Sequence, residues 1–484
     1  MSDGGEEWGA LDAGGAHSLS VAGADVLAGT DERIKRYRQS DVELLFIDSE
    51  GNPVPGLRVD VQQSSHDFVF GDQTGPLDSM IRSGGGDSDR AQFWKRRFSE
   101  CLNSATALCY WTERAEHDMS KTEDQQGDLR VSHMRKVVEW ASSEGLHVKG
   151  HPLFWSIPKC WPSWLMRYDT DTQMKFAEVR VRSLLAAFGR KVRTWDLVNE
   201  ALWEPAPQNL ATREWPHLEP VDVIAEYVGR VLDWCRDEVP ENTYVLNDYG
   251  MEQDGPKAPV AANGIAVTAE FQRRRMLDIL GKLDRTGCMP DALGLQSHTG
   301  GRMDPAEQMS LYDELAVAGI PLHITEFWAR RSLFEQEGDT ADVPIKKSGS
   351  RYLNRTDPVE ERRADYITRF LRVAFSHPAV EAFSFWGFMS DSIDWSERSA
   401  AHSPGPVYRA VQKLLNEEWR TSEELRSDEQ GRVQFRGFHG EYRVRLLHER
   451  NSDRAPAERF RVSSATENRI RIPVRGRRLS VEPG

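Results

Sequence analysis

Val192-Arg-Thr-Trp-Asp-Leu-Val-Asn-Glu200 is an apolar, strand-like run that stops on a carboxylate. Seven other runs share its character. Before it come Asp67-Phe-Val-Phe-Gly71, Ser104-Ala-Thr-Ala-Leu-Cys-Tyr110 and His147-Val-Lys-Gly-His-Pro-Leu-Phe-Trp155. After it come Thr243-Tyr-Val-Leu-Asn-Asp-Tyr249, Ala292-Leu-Gly-Leu-Gln-Ser-His298, Pro321-Leu-His-Ile-Thr-Glu-Phe-Trp328 and Val380-Glu-Ala-Phe-Ser-Phe-Trp-Gly387. Helical stripes lie between them, among them Val131, Met134, Val137, Val138 and Ala141, then Val181, Leu184, Leu185 and Phe188. Val223, Ile224, Tyr227, Val228, Val231, Leu232 and Cys235 form a third stripe, and Tyr366, Ile367, Phe370 and Val373 a fourth. This alternation predicts an α/β chain built on a (β/α)₈ TIM barrel. A doubly wound open sheet would alternate in the same way, but no Gly-rich phosphate loop follows the first strand.

The termini differ. Val42-Glu-Leu-Leu-Phe-Ile-Asp48 and Leu57-Arg-Val-Asp-Val-Gln62 alternate apolar and polar positions across a turn. Period two returns near the end, in Gly431 to Gly440, Tyr442 to Leu447 and Arg469 to Val474. Neither piece buries much core alone, so they are expected to meet in a small accessory β-sandwich. The expected organisation is a disordered or linker-like N-terminus (1–32), N-terminal β strands (33–65), the barrel (66–420) and C-terminal β strands (421–484).

A formal charge of −14 with spread acidic residues argues against a nucleic-acid partner, which calls for basic clusters. It fits a neutral substrate that gains nothing from electrostatic steering. The five cysteines are odd in number and match no zinc or redox spacing; Cys235 reads as a buried thiol. No metal or cofactor is expected. No apolar run is long enough to span a bilayer, and residues 1–30 lack the basic and apolar regions of an export signal. No membrane partner is therefore expected, and localisation and oligomeric state stay open.

Polar residues gather at the C-terminal strand ends, where barrel enzymes build their sites. They are His151, Asn199, Glu200, Asn247, Asp248, Gln296, His298, Glu326 and Trp386. Two carboxylates from different strands are what glycosidic bond cleavage needs, one to move a proton and one to attack or stabilise the anomeric carbon.

Six stretches make a specific resemblance. Gly150-His-Pro-Leu-Phe-Trp155, Trp195-Asp-Leu-Val-Asn-Glu200, Leu246-Asn-Asp-Tyr249, Gly294-Leu-Gln-Ser-His298, Ile324-Thr-Glu326 and Phe385-Trp-Gly387 resemble, in order and spacing, the family 10 glycoside hydrolases. That is the endo-β-1,4-xylanase family of clan A. The resemblance implies a retaining hydrolase with Glu200 as acid/base and Glu326 as nucleophile. It implies that Asn199 bonds the sugar's 2-hydroxyl, that His298 holds Glu326, and that His151 and Trp386 wall the cleavage subsite. Gln296 and Trp155 join the substrate-binding set, with Asn247 and Asp248 in support. Trp155, Trp164, Trp203 and Trp328 are candidate stacking platforms for an oligosaccharide or polysaccharide.

The second strand departs from the family. Its Thr-Ala-Glu-Asn stretch with a following Lys reads Thr106-Ala-Leu-Cys-Tyr-Trp-Thr112 here, so a polar grip on the glycone becomes apolar and aromatic. Ser156 replaces a histidine, and Trp386-Gly-Phe-Met-Ser-Asp391 is one residue longer than usual before its aspartate. The departures leave two alternatives open: a non-catalytic sugar-binding barrel, and a transglycosylase using the same residues.

Overall fold

The computed structural model describes residues 19–111, 121–123, 125–157, 160–210, 215–255, 257–298, 301–336, 358–393, 404–447, 457–464 and 467–474. The chain divides into two compact units, one of residues 1–28 and 69–412, the other of residues 29–68 and 413–484.

The smaller unit begins with β1 (Gln39–Ile47) and β2 (Arg58–His66). The barrel strands follow: β3 (Val69–Gln73), β4 (Ser104–Leu108), β5 (His147–His151), β6 (Thr194–Asn199), β7 (Thr243–Asp248), β8 (Ala292–Leu295), β9 (Leu322–Phe327) and β10 (Val380–Phe385). The chain returns to the smaller unit with β11 (Ser422–Arg426), β12 (Arg432–Phe438), β13 (Gly440–Leu446), β14 (Glu458–Val462) and β15 (Asn468–Pro473).

Strands β3 to β10 form a closed parallel barrel, with β10 pairing back onto β3. Seven lie inside the runs marked by the sequence. The first is displaced toward Val69–Gln73, because Asp67 is drawn to the smaller unit, its N–H bonding His439 O at 3.0 Å. Closure removes every exposed strand edge. Trp195 of β6 is fully buried and fills space that Gly150 of β5 leaves open; a Cβ on Gly150 would collide with the indole.

The four apolar stripes fall on or at the start of helices Ser132–Ser143, Thr170–Phe188, Val221–Glu238 and Pro358–Ser376. Helix ends carry local stop and start signals. Asp169 caps Thr170–Phe188, and Asp304 with Glu307 makes a capping box on Pro305–Ala316.

The expectation of a linker-like stretch through residue 32 needs correction. Helices occupy Val21–Ala28 and Thr30–Arg38. Ser20 explains the first: its N–H and Oγ each donate to the Asp304 carboxylate at 3.0 Å, a tertiary contact that outweighs weak local propensity. In the second, Asp31 and Glu32 lead and Lys35, Arg36 and Arg38 trail, which complements the helix dipole. Residues 1–18 lie outside the described residues.

The smaller unit holds two sheets. One runs β12-β1-β15, antiparallel on the β12 side and parallel on the β15 side; the other runs β11-β2-β13-β14, all antiparallel. Their inner faces share one core that includes Val42, Leu44, Phe46, Val59, Val61, Tyr442, Val444 and Ile472, the layering of a β-sandwich. Strands β11 and β14 escape a sequence reading. Neither Ser-Glu-Glu-Leu-Arg nor Glu-Arg-Phe-Arg-Val shows a long alternating run, and both are completed by pairing with β2 and β13.

Candidate active site

Strand β6 delivers Asn199 and Glu200, and β9 delivers Glu326. Glu200 stands just beyond β6 with φ +61°, a left-handed conformation that costs a non-glycine residue energy and marks a constrained turn. Its N–H donates to Asn247 O at 2.8 Å, which holds the turn against β7. The carboxylate accepts from Trp155 Nε1 at 2.9 Å and from Gln296 Nε2 at 3.0 Å. Glu326 is buried. It accepts from Asn247 Nδ2 at 2.9 Å and from His298 Nε2 at 3.1 Å, and His151 Nδ1 stands 3.9 Å away.

Amides connect the two carboxylates. Gln296 Nε2, bonded to Glu200, lies 3.5 Å from Asn199 Oδ1; that oxygen accepts from Asn247 Nδ2 at 2.7 Å, and the same nitrogen reaches Glu326. Thr325 orients Asn247 by donating to its Oδ1 at 2.5 Å. Glu200, Gln296, Asn199, Asn247 and Glu326 therefore belong to one cluster at the C-terminal ends of β6 to β9. Two polar atoms in it, Asn199 Nδ2 and His298 Nδ1, are buried without a hydrogen-bond partner among the described residues. Such atoms are rare in folded proteins and mark places where another molecule can bond.

Burial opposes ionisation of Glu326. The His298 hydrogen bond and the electrostatic influence of His151 and His298 outweigh it and hold the carboxyl below its ordinary range. Next to it is a buried ion pair joined by a histidine: Asp196 accepts from His151 Nδ1 at 2.7 Å and pairs with Lys149 Nζ at 2.8 Å. Burial again opposes, but Lys149 and His151 keep Asp196 depressed. The sequence reading missed both Lys149 and Asp196. Their signal was present, since a charge inside an apolar barrel strand is stable only with a partner.

The other candidates divide. Trp386 packs edge-on against His151 at 5.2 Å and faces His298 at 6.5 Å. Asp72, another residue missed by the sequence reading, accepts from Gly387 and Met389 N–H at 2.8 Å each and fixes the turn after Trp386. Trp328 lies edge-on to His298 at 6.4 Å and donates to Asp391 at 3.0 Å.

Asp248 stands apart from the cluster's side chains. Its oxygens accept from Leu202 N–H at 2.8 Å and Tyr249 N–H at 2.9 Å, so it ties the loop after β6; burial pushes its carboxyl well above the usual range. Trp203 is no open platform. Trp215 and Tyr249 stack on it at 5.5 Å and 5.1 Å, leaving Trp215 as the exposed ring of the stack. Trp164 is likewise buried, edge-on to Phe176.

The end of β4 brings Leu108, Tyr110 and Cys160 into one apolar cluster with Trp155, Ile157 and Trp386. Tyr110 is edge-on to His151 at 5.7 Å and 5.8 Å from Trp155. Cys109 turns away, its Sγ 3.3 Å from His151 O. Thr112 lies outside the described residues.

All five cysteines are free thiols, four of them buried, Cys235 included. Among the described residues no group of three or more His, Cys, Asp or Glu is arranged to hold a metal, and no helix is long and apolar enough to cross a membrane.

Comparison with known proteins accords with this geometry. The chain is 24% identical over 420 residues to the anti-sigma-I factor RsgI6 of Acetivibrio thermocellus, covering 86% of this chain and 46% of that protein. It is 22% identical over 442 residues to endo-1,4-beta-xylanase 2 of Arabidopsis thaliana, covering 89% of this chain and 35% of that one. It thus spans less than half the length of these two relatives. In fold it resembles xylanase 10B of Thermotoga petrophila, solved with xylobiose, at TM-score 0.52 and 19% identity, over 73% of this chain and 95% of that one. Residues 104–413 match the family described as Glycosyl hydrolase family 10, and the chain belongs to that family.

Proposed function

We propose that the protein is a retaining β-glycoside hydrolase, xylanase-like, acting on a plant or algal polysaccharide or its oligosaccharides. Glu326 attacks the anomeric carbon while Glu200 gives its proton to the departing glycosidic oxygen. Water then adds at the anomeric carbon, Glu200 takes its proton, and the ester bond to Glu326 breaks. The cluster suits these roles. Glu326 is kept ionised by His298, and Asn199 holds an unengaged amide donor where a sugar hydroxyl can accept it. That bond strengthens as the oxocarbenium-like transition state forms. Gln296 and Trp155 aim the carboxyl of Glu200 rather than bind sugar first. The observation that carries the reading is the amide connection between Glu200 and Glu326 across four neighbouring strands.

The glycone side is apolar and aromatic at Leu108 and Tyr110, so it offers contact area in place of hydroxyl partners. That arrangement favours a less hydroxyl-selective glycone site.

The test is a 2-fluoro xylobiosyl or cellobiosyl fluoride read by intact mass. The expected result is one glycosyl adduct located on Glu326 and absent from Glu326→Ala. An adduct elsewhere would overturn the assignment. Absence of both adduct and turnover across aryl β-xylosides and β-glucosides would favour the sugar-binding barrel.

A further inference from the structure

The β11-β2-β13-β14 sheet of the smaller unit turns one face inward through Val59, Val61, Tyr442 and Val444. Alternation sends Asp60, Gln62, Arg443 and Arg445 to the other face. Register sets Arg443 opposite Gln62 and Arg445 opposite Asp60. There, Asp60, Gln62, Ser64, Arg420, Arg443 and Arg445 line a hollow of about 220 Å³.

Three guanidinium groups share this hollow in a chain whose formal charge is −14. Arg420 is held in place: its Nε and Nη2 donate to Gln63 O at 3.2 Å and 3.0 Å, and its other N–H groups have no partner among the described residues. Among the described residues Arg443 and Arg445 form neither an ion pair nor a side-chain hydrogen bond. Asp60, the one acid among the described lining residues, accepts from Gln62 Nε2 at 2.6 Å, and Gln62 also donates to Ser422 Oγ at 2.8 Å. Among the described lining residues the balance is positive, and none is an aromatic ring on which a neutral sugar could stack.

We infer that this hollow binds the carboxylate of a uronic-acid residue in an acidic polysaccharide. A planar guanidinium fork matches a carboxylate with two parallel hydrogen bonds. Residues two apart on one strand face stand roughly 7 Å apart, so Arg443 and Arg445 cannot both lie flat on one carboxylate. One pairs with it while the other and Arg420 draw it in, and Gln62 and Ser64 meet the ring hydroxyls. The volume lies below the roughly 300–1,000 Å³ of drug-sized sites, which suits a single sugar unit. The smaller unit would then serve as an anchor to charged glycan, apart from cleavage in the barrel.

The test uses the whole chain and calorimetric titration with the α-1,4-linked galacturonate trimer, against its methyl ester as the charge-free match. Binding to the trimer alone is expected, weakened by added salt. The double variant Arg443→Ala, Arg445→Ala, checked for an unchanged melting curve, should bind the trimer roughly tenfold or more weakly. Turnover of aryl β-xyloside in the barrel should be the same in both proteins. That second readout separates failure of this site from failure of the hydrolase reading. Equal binding of the methyl ester, undiminished binding by the double variant, or displacement of the trimer by an equal concentration of inorganic sulfate would each overturn the proposal.

Discussion

Gly294 of β8 faces the side chain of Asn247 on β7 so closely that a Cβ at position 294 would stand 2.5 Å from Asn247 Oδ1. Asn247 is the amide that bonds both Asn199 and Glu326. The missing side chain at 294 is therefore what allows that amide its position. Gly294→Ala is expected to leave the barrel folded, at an overpacking cost of about 1–3 kcal/mol. Turnover should fall by up to roughly 100-fold, since a shift of about 1 Å at reacting groups has that scale of effect. Paired circular dichroism and steady-state rates on one preparation check this; unchanged rates would remove Asn247 from the positioning role.

Glu200→Ala should lower kcat by roughly 10²–10⁴-fold on a substrate whose leaving group needs a proton. A 2,4-dinitrophenyl glycoside, which departs without one, should form the intermediate at near-normal rate. Rates measured across a series of leaving groups should therefore steepen with leaving-group pKa in the variant. A uniform loss across the series would contradict the acid role.

On the proposed mechanism the acid limb of kcat/KM should follow Glu326. A carboxyl held low by His298 stays ionised as pH falls, so activity is expected to persist below the ordinary glutamate range. His298→Ala removes the hydrogen bond while burial continues to oppose charge. The Glu326 pKa then rises, and the acid limb moves to higher pH. The sign is fixed: the variant loses activity first at low pH and retains the most near neutrality. A pH profile between 3 and 8, followed by initial rates, reads it.

Lys149→Met leaves the Asp196 carboxylate buried without its cation. Breaking a buried pair from one side costs about 3–5 kcal/mol. Asp196→Asn combined with Lys149→Met removes both charges and should recover much of the loss. Denaturant unfolding of both variants, monitored by tryptophan fluorescence, checks the ordering; equal stability of the single and double variants would deny the pairing.

Much of the barrel was legible because each strand is an apolar run bounded by a helix with its own periodicity. The runs Val192 to Glu200 and Pro321 to Trp328 also put Glu200 and Glu326 toward the C-terminal ends of their strands, which is where they stand. What escaped was set by tertiary neighbours. Helix Val21–Ala28 depends on Ser20 reaching Asp304, 284 residues away. Lys149 and Asp196 looked like isolated charges until the closed barrel put them side by side. Trp203 read as a sugar platform because a sequence cannot show that Trp215 and Tyr249 already cover its faces. Asp248, one residue from Asn247, points to loop amides instead, a consequence of strand alternation that a motif does not display.

The amide connection from Glu200 to Glu326 draws Asn199 and Glu200 from β6 and the turn past it, and one member each from β7, β9 and the segment just past β8. No hairpin or consecutive pair of strands contains it whole. On the proposed mechanism, a nascent chain stalled before residue 326 carries half a reaction centre and is expected to be inert. Appearance of activity during refolding would thus report that β6 to β9 have docked in register, and enzyme assay becomes a clock for that step of assembly.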